Sequence, residues 1–457
     1  MSQPVFESID PTTGKSIATY LGHGDAEVEV RVARSEEAFR AWGRADVSAR
    51  TPVLRTVADV LERRREELAR LMVSEMGKPI AAARDEVDKC VWVCRYEAEH
   101  AAEHLAHDVV ETDAVTSYVR FDPLGPLLAV MPWNFPFWQV FRAAAPALAA
   151  GNTFLLKHAS NVPGCALAIE DVFREAGAPD GVVQTLLVGS DVAEAVLADR
   201  RVRAVTLTGS VPAGRAVAAA AGRALKPTVL ELGGSDAFVV LEDADLDAAA
   251  ETGARSRLLN NGQSCIAAKR FVVVDAVHDA FVERLAAAFD DRVVGDPMHD
   301  ATDVGPLARE DLRADLHAQV THSVEQGARL VTGGRELERD GWFYEPTILA
   351  DVTPSHTAAA EETFGPAAAV LRVSDEDAAI GTANASDFGL GASVWTRDRE
   401  RGERVAARLE AGGVFVNQLV KSDPRVPFGG VKDSGYGREL GAYGIREFVN
   451  AKTVWVE

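Results

Sequence analysis

The sequence has few cysteines, no long apolar run and no excess of basic residues. Its four cysteines in 457 residues are too few for a disulfide framework, which predicts a protein of the reducing cytoplasm. The apolar stretches are interrupted by Pro, Arg or Asp before they reach the ~18 residues of a membrane helix, and the N-terminal segment lacks the features of a signal peptide. A net charge of -21 argues against nucleic acid or an anionic membrane as a partner. A small-molecule substrate remains compatible with this charge, because its site can be locally basic.

Two of the cysteines, Cys90 and Cys94, lie four residues apart on a predicted helix and therefore share one face. No second His/Cys pair accompanies them to complete a metal site. We therefore expect both thiols in a hydrophobic core and no metal in the protein.

What the sequence does contain is a long alternation of strand and helix patterns. Residues 1–20 indicate short strands, and helical patterns follow, one continuous over 48–76 and the next running to about His107. From Gly125 apolar strands alternate with helices, and a second such series begins near Asp236. A chain of this length needs more than one core. We expect an interleaved α/β protein with parallel sheets covered on both faces.

An alternating, β-rich segment at Val109–Phe121 interrupts the helices and predicts a hairpin. An inserted hairpin can pair with another subunit, or it can be an ordinary surface hairpin. The pattern alone leaves both interpretations open.

A single thiol at Cys265 follows the polar stretch Asn260–Ser264, just after a predicted helix over 245–259. The thiolate is the nucleophilic form, and a free thiol titrates near ~8.5 unless nearby cations lower its pKa. Cys265 is therefore a candidate nucleophile if the chain supplies a pocket, a base and an electron acceptor.

Polar residues at predicted strand ends and turns can supply those groups. Lys157 ends one strand, at the edge where open parallel sheets bind ligands, and Glu231 ends another as a candidate general base. The turn Thr208–Gly214 opens a helix whose N–H groups can bind phosphate, although it lacks GxGxxG spacing. Asn134, held between prolines, can donate to an oxyanion. Each also has a plainer interpretation: a solvated lysine, an ion-paired glutamate, an ordinary turn and a structural asparagine.

Seven motifs, in order along nearly the whole chain, resemble the aldehyde dehydrogenase superfamily. They are PWNFP (132–136), the strand-end Lys157, TGSxxxG (208–214), LELGG (230–234), GQSC (262–265), EETFGP (361–366) and PFGGVKDSGYGRE (427–439). Four finer stretches resemble the short bacterial succinate-semialdehyde dehydrogenases of this family: KHASNVPGCA (157–166), VLELGGSDAF (229–238), AAKRF (267–271) and GGVFVNQ (412–418).

The resemblance implies a covalent mechanism. Cys265 would attack the aldehyde carbon, and Asn134 with the Cys265 backbone N–H would hold the oxyanion. Hydride transfer to the nicotinamide would leave a thioester, which Glu231 would hydrolyse by activating water. Relatives that pass the thioester to coenzyme A generally lack a carboxylate at the position of Glu231.

The resemblance also implies the cofactor site. It assigns Lys157 to the adenosine ribose, Ser210 to the pyrophosphate, and Glu362 with Phe364 to the nicotinamide end. Family members committed to NAD usually carry Glu three residues after the Lys, where this chain has Ser160. A Ser hydroxyl can donate to a 2′-phosphate that a carboxylate would repel, so we expect NADP, with NAD as the alternative. The remaining predicted contacts are Pro132, Trp133, Gly209, Gly214 and Leu232.

For the substrate, the resemblance implies a cation that binds a distal carboxylate. Arg142 matches the family's carboxylate-binding Arg, although a structural salt bridge is the alternative. A second Arg found in other semialdehyde dehydrogenases is replaced by Leu259. Ser422 matches a Ser of the carboxylate site, and Trp138 and Val420 are candidate walls. The expected substrate is succinate semialdehyde, with glutarate semialdehyde, an aromatic aldehyde or a catalytically silent protein as alternatives.

The fold implied by the resemblance has two Rossmann-type open α/β domains and a β-hairpin oligomerisation arm. Residues 1–104 and 124–233 would form the dinucleotide-binding domain, and 234–432 the catalytic domain with the nucleophile. Residues 105–123 and 433–457 would be the oligomerisation elements of a homodimer or homotetramer.

Overall fold

The computed structural model describes residues 3–457, so the first two residues of the predicted 1–20 and 1–104 segments lie outside it. The helices are α1 (Asp25–Trp42), α2 (Val47–Arg63), α3 (Arg65–Met76), α4 (Ile80–His104), α5 (Trp138–Ala150), α6 (Pro163–Glu175), α7 (Ser190–Ala198), α8 (Val211–Arg223), α9 (Leu246–Leu258), α10 (Asp275–Asp290), α11 (Glu310–Glu325), α12 (Thr357–Ala360), α13 (Glu376–Asn384), α14 (Arg399–Ala406) and α15 (Gly441–Arg446). The strands are β1 (Val5–Asp10), β2 (Lys15–Leu21), β3 (Asp108–Val109), β4 (Thr116–Pro123), β5 (Pro126–Met131), β6 (Thr153–His158), β7 (Val183–Thr185), β8 (Ala204–Thr208), β9 (Thr228–Glu231), β10 (Asp236–Val240), β11 (Ala268–Val274), β12 (Arg329–Thr332), β13 (Thr347–Ala350), β14 (Ala367–Val373), β15 (Phe388–Gly389), β16 (Gly391–Trp395), β17 (Gly413–Val416), β18 (Val431–Lys432), β19 (Gly435–Tyr436) and β20 (Val449–Val456).

The continuous helix predicted over 48–76 is wrong, because α2 and α3 are separate helices that meet at Arg64. The Arg64 backbone leaves the helical region (φ −92°, ψ 7°), while its N–H still bonds to the Val60 carbonyl. The charged residues on either side keep the helical period, so the sequence shows no break. The next helix, α4, ends at His104, somewhat before the predicted His107.

The first sheet has the strand order β19-β9-β8-β5-β6-β7, and all its strands except β19 run parallel. This confirms the parallel sheet expected from Gly125 onward. Strands such as β8 are buried along their whole length, as expected for apolar runs covered on both faces. Because the carboxyl ends of parallel strands meet at one edge, Lys157, Thr208 and Glu231 lie along the same edge.

The second sheet has the order β12-β13-β14-β11-β10-β16-β17 and is parallel except for β12. Its face carries stacked and tilted aromatic rings, with the Phe238 ring centroid 5.1 Å from that of Phe271 and 5.4 Å from that of Trp395. Such pairs contribute about 0.5–1.5 kcal/mol each beyond the area they bury. They stabilise β10 and β11, and the segment that bears Cys265 connects these two strands in the chain.

A third, three-stranded sheet has the order β20-β4-β3 and joins the C-terminal strand to the predicted hairpin region. Its register runs from Val449 opposite Pro123 to Val456 opposite Thr116. The predicted 433–457 element is not uniform, because β19 within it pairs with β9 of the first sheet. Assignment of the third sheet to subunit contacts stays a proposal.

The hydrophobic core beside the first sheet is built mainly from α2, α4 and α5. Cys90, Cys94 and Cys165 are buried in it, which confirms the core position predicted for the first two. Within residues 3–457, no helix has both the length and the apolar character needed to cross a membrane.

Candidate active site

The backbone just before Cys265 makes a left-handed turn. Asn260, Asn261 and Gly262 have φ angles of 54°, 59° and 74°, in the region that Gly and Asn adopt most readily. The Asn261 side-chain amide donates to the Gly77 carbonyl at 2.9 Å and holds the turn from outside. The Asn-Asn-Gly sequence is therefore the local reason that the chain can present Cys265 at this position.

Asn134 is buried against this turn. The Asn260 amide donates to the Asn134 carbonyl at 2.7 Å, and Asn134 Nδ2 donates to the Gln263 carbonyl at 3.0 Å. One hydrogen of the Asn134 amide thus fixes the side chain, and the second can serve an oxyanion formed at Cys265. The structure brings Asn134 and the Cys265 segment together, and the oxyanion role stays a prediction.

The two glycines after Glu231 allow the first sheet to approach the nucleophile segment. A Cβ on Gly234 would lie 2.6 Å from the Cys265 carbonyl oxygen. A Cβ on Gly233 would lie 2.4 Å from a carboxylate oxygen of Glu362. The Gly234 contact is with a backbone atom and leaves no room for a side chain, so the glycines after β9 let this segment approach both the nucleophile segment and Glu362.

Lys269 is a buried cation that contacts the backbone of the nucleophile segment. Its Nζ donates to the carbonyls of Ser264 and Cys265 at 2.9 and 2.8 Å and lies 3.4 Å from Glu362 Oε1. Burial raises the pKa of the Cys265 thiol to about 12, whereas Lys269, and then Arg142, act to lower it. These two cations are therefore the groups that favour the thiolate.

Replacing Lys269 by methionine is expected to raise the pKa of the Cys265 thiol, because a stabilising charge is removed. Alkylation by iodoacetamide at fixed pH should slow by about 10-fold, as expected for a shift of about one pK unit. Lys269→Arg keeps the charge and is the matched control. An alkylation pH profile identical in Lys269→Met and the wild type, measured in variants with normal thermal unfolding, would contradict this role.

Glu231 ends β9 with its side chain buried and with no hydrogen-bond partner among residues 3–457. Burial raises the pKa of this carboxyl well above its usual range, Arg142 opposes the shift and Glu439 adds to it. A buried carboxyl without fixed partners can accept a proton from a substrate water, as a general base requires.

Arg142 is engaged by neighbouring side chains. Its guanidinium is paired with the buried Glu439, donates to Thr208 Oγ1 at 3.3 Å and lies 4.7 Å from the Phe428 ring centroid. The structural salt bridge that the sequence left open is thus present. The role of Arg142 at a substrate carboxylate stays a prediction, and its observed charge acts on Glu231 and Glu439.

A cavity of about 520 Å³ lies at the carboxyl edge of the first sheet, between α7 and α8. Lys157 lines it together with apolar side chains such as Leu128, Val130, Leu207 and Val217. Burial lowers the pKa of Lys157, which favours binding of an anion or hydroxyl groups that stabilise its charge. The charged side chains that line the cavity are Lys157, Asp191 and Glu194, and the rest of its lining is mainly apolar. A mainly apolar cavity with a few polar groups fits the adenosine part of a dinucleotide.

The predicted phosphate turn leads into α8 at the side of this cavity. Ser210 caps α8, accepting from the Ala213 N–H at 3.4 Å, and Gly209 precedes it. A Cβ on Gly214 would lie 2.5 Å from the Leu232 side chain, so a larger residue here would displace Leu232. Ser160 is exposed just after β6 and does not line the cavity wall.

The residues predicted at the nicotinamide end come from both sheets and touch each other. Trp133 follows Pro132 at the end of β5, and its ring meets that of Phe364 edge-on, with centroids 5.8 Å apart. Glu362 accepts from the Gly234 N–H at 3.0 Å. The predicted cofactor residues thus extend from the cavity toward the Cys265 segment.

Two of the predicted substrate residues meet at a lysine that the sequence did not indicate. Lys89 of α4 donates to Ser422 Oγ at 2.7 Å, and its Nζ lies 4.3 Å from the Trp138 ring centroid. Val420 is buried nearby in the same loop as Ser422. The structure therefore joins Ser422 and Trp138 through Lys89, while Arg142 is held by Glu439.

Sequence reasoning missed Lys89, Lys269 and Glu439 for different reasons. Two adjacent charged residues in the otherwise apolar strand AKRFVVV were a usable signal for Lys269. Lys89 offers no such signal, because it is a lysine on an ordinary amphipathic helix. Glu439 lies in a Gly-rich tail where nothing in the pattern indicates burial.

The parallel sheet, the cavity lined by Lys157 and the Asn134 amide held against the Cys265 segment are features expected of a nucleotide-dependent oxidoreductase with a cysteine nucleophile. Residues 1–454 match the aldehyde dehydrogenase family, and the chain belongs to it.

A probable NADP(+) succinate-semialdehyde dehydrogenase of Synechocystis sp. is 53% identical over 449 residues, 98% of this chain and 99% of that protein. An NADP(+) succinate-semialdehyde dehydrogenase of Mycobacterium tuberculosis is 50% identical over 452 residues, again 98% of this chain and 99% of that protein. The succinic semialdehyde dehydrogenase of Streptococcus pyogenes, solved with NADP+, has a TM-score of 0.97 and 39% identity, covering 99% of each chain.

Proposed function

We propose that this aldehyde dehydrogenase oxidises succinate semialdehyde to succinate with NADP+. The observation that carries the reaction is the meeting of Asn134, Gly234 and the Cys265 segment, with the buried Glu231 at the end of the strand that leads to Gly234. The full-length similarity to two NADP(+) succinate-semialdehyde dehydrogenases at 50% and 53% identity supports the substrate and the cofactor.

The proposed chemistry follows from the positions of three residues. Cys265 Sγ attacks the aldehyde carbon, and Asn134 Nδ2 with the Cys265 N–H donates to the oxyanion that develops. Bound NADP+ supplies the acceptor for the hydride, so that Cys265 is left as a thioester. Glu231 takes a proton from water, the water oxygen attacks the thioester carbon, and the Cys265 thiolate leaves.

The cofactor fits the residues that line the cavity at the first sheet. We propose that residues 1–104 and 124–233 bind it, with Lys157 at the ribose and the N-terminus of α8 at the pyrophosphate. The catalytic domain proposed over 234–432 contributes Glu362 and Phe364. Ser160, three residues after Lys157, is proposed to donate to the 2′-phosphate.

Replacing Ser160 by glutamate is expected to reverse the cofactor preference, because a carboxylate repels the 2′-phosphate and can accept from a free 2′-hydroxyl. The KM for NADP+ should rise at least about 10-fold, and the KM for NAD+ should change much less. Ser160→Ala is the matched control and should cause a smaller rise, since it removes a donor without adding charge. If the ratio of kcat/KM for the two cofactors is unchanged in Ser160→Glu, Ser160 does not face the phosphate.

The substrate proposal is tested by kcat/KM for succinate and glutarate semialdehyde, each measured with NADP+ and with NAD+. The proposal requires the highest value for succinate semialdehyde with NADP+. A higher value for glutarate semialdehyde or an aromatic aldehyde would contradict the proposed substrate. A higher value with NAD+ would contradict the proposed cofactor.

We also propose that the third sheet joins subunits into a homodimer or homotetramer. The predicted arm at 105–123 and the tail at 433–457 supply its strands. β3 is an edge strand, and no other strand among residues 3–457 pairs with its free side. Exposed apolar side chains, among them Val109, Val115 and Trp455, lie on or beside this sheet. Such surfaces favour burial against another chain.

A further inference from the structure

Lys89 is a shielded cation without a counter-ion. Its Nζ donates to Ser422 Oγ at 2.7 Å and lies over the face of the Trp138 indole, 4.3 Å from the ring centroid. No carboxylate of residues 3–457 forms an ion pair with it, although many lysines and arginines of the chain have such a partner. An ammonium group that gives up water in this way is costly unless a ligand compensates it.

The groups around Lys89 shift the pKa of its ammonium in both directions. Burial, and to a smaller extent Arg142 of α5, lower its pKa to about 8. Cys90 and Glu86 on its own helix, and Asp423 in the loop beside Ser422, oppose this shift. An anion delivered to Lys89 would restore the stability of its charged form.

We propose that Lys89, together with the Ser422 hydroxyl, binds the distal carboxylate of the substrate and thereby selects semialdehydes of short dicarboxylic acids. This inference rests on the proposed function and identifies the side chain that selects the substrate. Lys89 now donates one hydrogen to Ser422 Oγ, which leaves two ammonium hydrogens and the Ser422 hydroxyl hydrogen for a carboxylate. The Trp138 ring lies against the ammonium and stabilises its charge.

The position of Lys89 beside Arg142 supports this role. Trp138, over which the Lys89 ammonium lies, and Arg142 are four residues apart on α5 and therefore share one face. Arg142 in turn acts to lower the pKa of Cys265. Arg142 itself is engaged by Glu439 and Thr208. Lys89 therefore has the free hydrogen-bonding capacity that Arg142 has already used.

The test compares succinate semialdehyde with butanal, which has the same chain length and no carboxylate. In Lys89→Met the ratio of kcat/KM for succinate semialdehyde over butanal should fall about 100-fold, as for loss of a charge-assisted contact in a desolvated site. Lys89→Arg should recover part of the ratio, because it keeps the charge. Lys421→Met is the matched control: it removes an exposed positive charge next to Ser422, and it should change the ratio by less than about twofold.

A pH series on the wild type tests the same inference without a substitution. The ammonium form of Lys89 predominates below a pKa of about 8, so the ratio should be high there and fall as the pH rises through this value. Using the ratio of two kcat/KM values cancels the titration of Cys265 and Glu231, which both substrates share. In Lys89→Arg the ratio should stay constant across this range, since Arg remains charged.

The outcomes separate the two proposals. If the wild type prefers succinate semialdehyde over butanal and Lys89→Met keeps that preference, the role of Lys89 is refuted and the proposed function stands. If the wild type shows no preference for the carboxylate substrate, both are refuted. A ratio that falls equally in Lys421→Met would also refute the inference, because it would reflect net charge and not a contact.

Discussion

Replacing Cys265 by alanine is expected to abolish aldehyde oxidation while NADP+ binding is retained. The reaction runs through a covalent bond to Sγ, and removal of a nucleophile of this kind typically costs at least about 10⁴-fold in kcat. The cofactor cavity lies at the first sheet and does not include Cys265. NADPH formation at saturating substrate gives the rate, and calorimetric titration with NADP+ gives the binding constant.

The matched control for this substitution is Cys94→Ala, which removes a sulfur from the core of α4 and not from the site. It should retain activity in proportion to its folded fraction. The other three cysteines are buried, so none of them can replace Cys265 as the nucleophile. Residual activity of Cys265→Ala close to that of the wild type would show that the reaction does not need a thiol at this position.

Replacing Glu231 by glutamine should separate the two halves of the reaction. Attack by Cys265 and hydride transfer do not use the carboxylate, so one equivalent of NADPH per site should form in a rapid burst. Hydrolysis of the thioester then lacks its base, and steady-state kcat should fall by about 10²- to 10⁴-fold. Stopped-flow absorbance measures the burst, and mass spectrometry of the quenched enzyme detects the succinyl group on Cys265.

The pH dependence of the same step follows from the burial of Glu231. Its pKa is raised above the usual carboxyl range by burial, with Glu439 acting in the same direction and Arg142 against it. The carboxylate form is the base and predominates above that raised pKa, so thioester hydrolysis should accelerate with rising pH. In Glu231→Gln the slow phase should lose this dependence. If Glu231→Gln shows no burst and keeps the wild-type pH profile, another residue is the general base.

The parallel sheets could be predicted because their strands end in polar residues after short apolar runs. Thr208 and Glu231 close two such runs, and parallel pairing then brings both to one edge. The left-handed turn before Cys265 was not predicted, although Asn260 and Asn261 are residues that suit such a backbone. Local patterns of this kind depend on residues that are close in the chain.

Contacts between distant segments could not be read from the sequence. Lys89 and Ser422 are separated by 333 positions, and a helical pattern records which residues are apolar, not which partner a polar one meets. The ion pair of Arg142 with Glu439 joins α5 to the tail in the same way. The break at Arg64 was hidden for another reason, because charged residues fit a helix on both sides of it.

The pairing of β19 with β9 has a consequence for biosynthesis. Gly435 lies opposite Glu231 in that pairing, and Glu439 a few residues later engages Arg142. Both contacts come from residues that lie far beyond Cys265 in the chain. A nascent polypeptide therefore carries Cys265 long before the surroundings of Glu231 are complete. A chain that stopped ahead of Gly435 would contain most strands of both sheets, but it would lack the strand that pairs with Glu231 and the ion-pair partner of Arg142.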